Sequence, residues 1–174
     1  LRSKSILNYT VINKSICEFD SAFGYRYIPN TTAITLGISN GSPAIYGSVA
    51  IGPYSNFGNG VDSWGSDDLR ILAFGDSFTA NPYSYYSWTS HIGEHLRKAV
   101  NRPPEIMNLG RDAYGVLQMA HFANAMINKF NPDIVVVAFI MDDLNRAKFW
   151  RTMQSIDGED RLFTTNLQNV IPDL

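Results

Sequence analysis

From Leu69 onward the sequence predicts a three-layer α/β/α fold, a parallel sheet with helices on both faces, preceded by a β-rich N-terminal extension over residues 1–68. Three observations carry this reading. Short apolar runs at 70–74, 104–108 and 133–139 alternate with helical stretches at about 87–100 and 115–130, and βαβαβ alternation is the pattern of a parallel sheet. The run Ile134 to Ile140 is apolar on both faces, as a strand covered from both sides should be. Before Leu69 the composition shifts to Gly, Ser, Asn and Pro with short β-prone runs, which reads as an extension packed on the core that follows.

Each element has a local cause. Tyr25 to Ile28, Ala33 to Ile38 and Ala44 to Ile51 are the β-prone runs of the extension. The strand at 70–74 breaks at Gly75, and Asp76 and Ser77 follow. Gly75 can take the backbone angles of a sharp exit, Asp76 can cap the next turn, and Ser77 then sits by the amide dipoles of a helix start. The segment Pro82 to Trp88, with Tyr83, Tyr85, Tyr86 and Trp88, leads into the helix at 87–100 and reads either as sugar-stacking aromatics at the mouth of a cleft or as helix-entry packing. Beyond Asp143, the runs Thr152 to Ile156 and Arg161 to Thr165 flank Asp157-Gly158, the turn pair of a two-residue hairpin.

Composition excludes several classes of function. A chain of 174 residues with 45% hydrophobic and 17% charged residues can build one domain with a real core. A net charge of -2 with scattered Lys and Arg leaves no electrostatic footprint for nucleic acid. No stretch has the length of a membrane span. The chain starts without a Met or a signal-peptide pattern, so it reads as a processed or excised piece. Cys17 is the one cysteine, which rules out an internal disulfide or a thiolate metal cluster, and it reads as a small buried apolar residue. Asn-x-Ser/Thr sequons at Asn8, Asn13, Asn30 and Asn40 favour an exported, extracytoplasmic or secreted protein.

The segment Ile71 to Thr79, Ile-Leu-Ala-Phe-Gly-Asp-Ser-Phe-Thr, resembles the serine block of the SGNH/GDSL hydrolase family. Asn108-Leu109-Gly110-Arg111-Asp112-Ala113-Tyr114-Gly115 is similar to its second block, and Pro132 to Asp143 to its third, a buried strand ending in Asn-Asp. Phe23 to Asn30 and Ser55 to Gly58 are similar to an extension that some members carry, so the resemblance spans about residues 23 to 150. It implies a flavodoxin-like parallel sheet and a serine esterase or O-acetyl-transfer enzyme without a cofactor. Ser77 would be the nucleophile. The oxyanion hole would comprise the amides of Ser77 and Ala113 and the side chain at Asp142, with Gly75, Asp76, Asp143 and Gly110 in support.

Three departures from the family pattern stand out. Ala113 replaces the second-block glycine, Asp142 replaces the third-block asparagine, and no aspartate has a histidine three residues on, so the Asp-x-x-His block is absent. Asp142 could serve as a donor only if burial beside Asp143 and Asp76 kept it protonated. His91, His95 and His121 fall in the helical stretches and read as helix-surface or packing residues, which leaves Ser77 without a base in this chain. The C-terminal strands of the fold are expected after Leu174, leaving the edge of strand 133–139 to a missing segment or a partner chain.

Three readings follow in order. The first is an esterase or acetyl-transfer enzyme acting on acylated carbohydrate or lipid. The second is a catalytically weakened relative that binds a glycan or other acylated ligand. The third is a divalent-cation site at Asp76, Asp142 and Asp143, gathered at the ends of adjacent strands.

Overall fold

The computed structural model describes residues 16–39, 42–57, 64–81 and 87–170, and its first elements are two antiparallel hairpins. Strands β1 (Cys17–Asp20) and β2 (Gly24–Tyr27) pair from Cys17↔Tyr27 to Asp20↔Gly24. Asp20 holds their turn, its Oδ1 accepting from the amides of Ala22 at 2.9 Å and Phe23 at 3.0 Å. Strands β3 (Thr31–Ser39) and β4 (Ser42–Ile51) form the second hairpin, with a register shift between Thr35 and Leu36. Sequons Asn8, Asn13 and Asn40 lie outside the described residues, as do Tyr83, Tyr85 and Tyr86.

The core sheet follows from three apolar runs. Strand β5 (Leu69–Gly75) is flanked on one side by β6 (Pro104–Asn108) and on the other by β7 (Ile134–Ala138), both parallel to it. Helix α2 (Trp88–Ala99) joins β5 to β6, and helix α3 (Val116–Phe130) joins β6 to β7. The two crossovers run in opposite directions across the sheet, so the right-handed rule assigns α2 and α3 to opposite faces. β5, the middle strand, is buried from Ile71 to Gly75.

Local chemistry agrees with each helix boundary. Ser87 caps α2 by accepting from the Ser90 amide, and Arg97 and Lys98 in the last turn complement the helix dipole. Asn131 ends α3 in the left-handed conformation that suits a helix terminus. Met119, Phe122 and Ala123 recur on one side of α3 and are buried, as a 3.6-residue period requires.

Beyond β7 lie a one-turn helix α4 (Met141–Asn145) and a hairpin of β8 (Phe149–Ile156) and β9 (Glu159–Asn166). Asp157 and Gly158 both have positive φ, 54° and 81°, the geometry of the Asp-Gly turn expected from sequence.

One core joins these parts. Leu72, Phe74, Met107, Leu109 and Phe122 from the α/β layers pack with Tyr25, Tyr27 and Tyr114, and each large apolar side chain taken fully from water contributes roughly 1.5–3 kcal/mol. Tyr25 meets Tyr114 edge-on with ring centroids 5.2 Å apart, which sets the first hairpin against the start of α3. Phe57 bridges Ile51 on one side and Asn108 on the other, stitching the second hairpin to the end of β6. Cys17 is buried in the same core, and burial pushes its thiol up to about 12, which matches its reading as an apolar residue.

β7 differs from the inner strand that its apolar run suggested. Among the described residues nothing pairs with its outer flank, and Val137 is 44% exposed.

Candidate active site

The C-terminal end of β5 is where the sheet order reverses, because the chain leaves β5 toward β6 on one side and returns to β7 on the other. Ligands of open α/β sheets bind at that point. The residues that follow β5 are Asp76 and Ser77, and Ser77 is the first residue of a one-turn helix, α1 (Ser77–Ala80).

Two glycines allow this crowding. A Cβ on Gly75 would overlap Thr79 Oγ1 and come within 2.5 Å of the Ala138 carbonyl, so only a bare backbone lets β5 exit beside β7. A Cβ on Gly110 would overlap the Ala80 amide and lie 2.7 Å from Ala80 Cα, so the second-block loop can rest directly on α1.

Hydrogen bonds then fix the two loops together. Arg111 N donates to Gly75 O at 2.8 Å, and Leu109 N to Ala73 O at 2.7 Å. Asn108 Nδ2 donates to Thr79 O at 2.6 Å, while its Oδ1 accepts from Gly110 N at 3.0 Å. Asn108 is therefore a structural clamp between β6, its own loop and α1. Trp88, from the aromatic segment, donates from Nε1 to Thr79 Oγ1 at 3.3 Å and ties the start of α2 to the same turn.

Ala113 lies on the bonded loop with φ 57°, the left-handed region where glycine is preferred. The amides of Ser77 and Ala113 have no hydrogen-bond acceptor among the described residues. Two amides left open on adjoining loops are chemically suited to receive an oxyanion.

The carboxylates gather, but around a cation that the sequence analysis did not single out. Arg146 lies beside Asp143, 3.6 Å from Asp76 Oδ2 and 3.5 Å from Asp142 Oδ2. Asp143 is fully buried, and its Oδ2 accepts from Ile140 N at 2.9 Å, capping α4. Asp76 Oδ1 accepts from Phe78 N at 3.0 Å and caps α1. Burial raises the pKa of the Asp76 carboxyl, and nearby Asp143 adds to this, while the Phe78 amide and Arg146 pull it back. The guanidinium thus already supplies the positive charge that the cation-site reading assigned to a metal, and no cluster of metal-ligating side chains occurs among the described residues.

Asp142 stands on the solvent side of this cluster. Its side chain is 63% exposed and paired with Arg146, so the burial that the sequence reading invoked for a protonated Asp142 is missing.

The histidines have settings of their own. His121 packs between Phe23 and Trp150, with ring centroids 5.8 and 5.7 Å away. His91 and His95 occupy exposed positions on α2. Among the described residues none of the three hydrogen-bonds to Ser77.

Two residues of the second-block region, Arg111 and Gln118 just beyond it, had no role assigned from sequence. Arg111 is buried without a carboxylate partner among the described residues, its NH1 donating to the carbonyls of Ser55 at 2.8 Å and Gly110 at 2.9 Å. Its guanidinium also lies 4.6 Å from the Phe122 ring centroid, so backbone dipoles and an aromatic face stand in for a counter-ion. Gln118 bonds the carbonyls of both Phe23 and Arg151, at 2.9 and 2.8 Å. Only the Asp142/Asp143-to-Arg146 spacing, i to i+4 and i+3, carried a local signal.

The family model described as GDSL-like lipase/acylhydrolase matches residues 71–174, more than half of the chain. The chain belongs to the GDSL family. Membership implies the SGNH α/β/α fold, ester hydrolase activity and an ester substrate for this GDSL protein. No curated protein and no solved structure matches the chain. No helix among the described residues of the GDSL chain is long and apolar enough to cross a membrane.

Proposed function

We propose that this chain supplies the nucleophile and part of the oxyanion hole of a serine esterase or O-acetyl-transfer enzyme acting on acylated carbohydrate or lipid. In this reading residues 69–174 are its flavodoxin-like core, and residues 1–68 are a β-rich extension packed on that core. The observation that carries the reading is that Ser77, at the switch point after β5, stands on a loop joined by the Arg111-to-Gly75 hydrogen bond to the loop that carries the open Ala113 amide. Ser77 would attack the ester carbonyl, and the amides of Ser77 and Ala113 would take the developing negative charge. Gly75 and Gly110 permit the close approach, and Asp76 and Asp143 hold the turns on either side.

A serine hydroxyl needs a base to become a nucleophile near neutral pH. In this reading the base comes from outside the described residues, so the assay belongs to the intact protein. A fluorophosphonate should label Ser77, and Ser77→Ala should abolish both labelling and p-nitrophenyl acetate turnover. Unchanged turnover in Ser77→Ala rejects the reading.

The weakened, glycan-binding relative is the second reading. What favours it is Asp142, a carboxyl side chain where the family resemblance implies an amide. Labelling of Ser77 without turnover in the wild type would select it.

A further inference from the structure

Within a planar trans peptide the carbonyl and the following N–H point in opposite directions, so fixing one aims the other. The Ala113 N–H shares its peptide unit with the Asp112 carbonyl. That carbonyl accepts a hydrogen bond from the Tyr25 hydroxyl. On the other side of the same residue, Asp112 N donates to the Tyr27 hydroxyl at 3.2 Å. Both tyrosines come from β2, and both are buried. Burial raises the pKa of each phenol well above its ordinary value, so each keeps its proton.

A lock on this peptide has something to oppose. Ala113 sits at φ 57°, which a residue with a Cβ adopts at a cost of roughly 1–2 kcal/mol. Rotating the Asp112–Ala113 peptide by half a turn would carry φ of Ala113 to about -120°, an ordinary value for alanine. The same rotation would reverse the direction of its N–H. The neighbouring residue ties the loop to the same hairpin, because the single proton of the Tyr114 hydroxyl is shared between the carbonyls of Phe23 at 2.7 Å and Tyr25 at 2.8 Å.

We propose that Tyr25, backed by Tyr27, is a positioning residue for the oxyanion hole, its hydroxyl holding the Asp112–Ala113 peptide so that the Ala113 N–H faces the reacting carbonyl. The N-terminal hairpin, outside residues 71–174 matched by the family model, then sets the direction of a catalytic donor. This rests on the ester-hydrolase reading of Ser77.

The test uses the intact protein with p-nitrophenyl acetate. Tyr25→Phe should lower kcat by about tenfold or more while KM moves by less than about twofold, since a transition-state donor is lost and substrate contacts are not. Adding Ala113→Gly to Tyr25→Phe should recover most of that loss, because glycine takes positive φ without penalty. Tyr27→Phe should give a smaller loss with the same relief.

The 13C shifts of the Ala113 Cα and Cβ report its φ without any turnover. They should be those of a left-handed residue in the wild type and move toward extended values in Tyr25→Phe. The proposal is overturned by extended values in the wild type, by wild-type kcat in a folded Tyr25→Phe, or by a loss that Ala113→Gly fails to relieve. Should Tyr25→Phe not fold, wild-type kcat in Tyr27→Phe overturns it equally. Ser77→Ala in the same assay separates the two claims. If it stays active, the ester-hydrolase reading fails; if it is dead beside a fully active Tyr25→Phe, only the tyrosine assignment does.

Discussion

The Arg146 guanidinium reaches Asp76 Oδ2 at 3.6 Å, so a residue just after α4 is paired with the N-cap of the helix that begins at Ser77. The same group bonds Asp143, and the turn after β5 is thereby braced against the turn after β7.

Removing that brace leaves two buried carboxylates without their counter-charge. Arg146→Met is expected to destabilise the fold by about 3 kcal/mol near neutral pH. The sign of the pH effect follows from Asp76. Its pKa is already raised by burial, and Arg146 opposes the rise. Without the guanidinium the neutral acid becomes still more favoured, and a neutral acid needs no partner. The loss should therefore shrink as pH falls toward the carboxylate range, as measured by urea denaturation at both ends. An equal loss at both would mean that Arg146 acts by packing alone.

Asp142 should be separable from this cluster. Its ion pair with Arg146 is mostly in solvent, and such pairs contribute about 0–1 kcal/mol. Asp142→Asn is expected to change stability by less than about 0.5 kcal/mol. In the esterase reading it also replaces a repelling carboxylate by a neutral donor and raises p-nitrophenyl acetate turnover. A drop in turnover would show that the carboxylate itself is used.

Gly75→Ala is expected to cost several kcal/mol or to prevent folding, because the added Cβ meets backbone at Ala138 as well as the Thr79 side chain. Thr79→Ala combined with Gly75→Ala removes only the side-chain clash. Thermal melts of the double variant should thus recover part of the loss; full recovery would mean that β5 and β7 can separate freely.

Asp133 predicts the acid limb. Its carboxyl accepts from Arg70 N at 2.9 Å and faces Arg70 and Arg102, and the Arg70 amide, ahead of the two guanidinium groups, lowers its pKa from the ordinary 3.8 to about 2. A carboxylate whose folded value is depressed stabilises the protein above the unfolded value and loses that contribution as pH falls through the folded one. The melting temperature of the wild type should decline as pH drops from 3.8 toward about 2, and Asp133→Asn should lack that part of the decline. Parallel curves for the two proteins would contradict the assignment.

By itself the sequence determined whatever rests on neighbours along the chain. The apolar runs that became β5, β6 and β7, the Asp-Gly turn at Asp157-Gly158 and the exit of β5 into Ser77 were legible because strand period, turn chemistry and capping act within a few residues. The order of the blocks further indicated that Ser77 and the second block belong together. Tertiary structure alone decided what surrounds them. Arg146 could be paired with Asp142 and Asp143 from helical spacing, yet its reach to Asp76, 70 residues earlier, exists only because β5 and β7 lie side by side in parallel. Asp142 and Asp143 are adjacent in sequence, and a one-turn helix sends one into solvent and buries the other, an outcome that composition cannot show. The grip of Tyr25 on the Asp112 carbonyl spans 87 residues. Its physical basis is a core that closes around both segments at once, which leaves a buried hydroxyl and a buried carbonyl to satisfy each other.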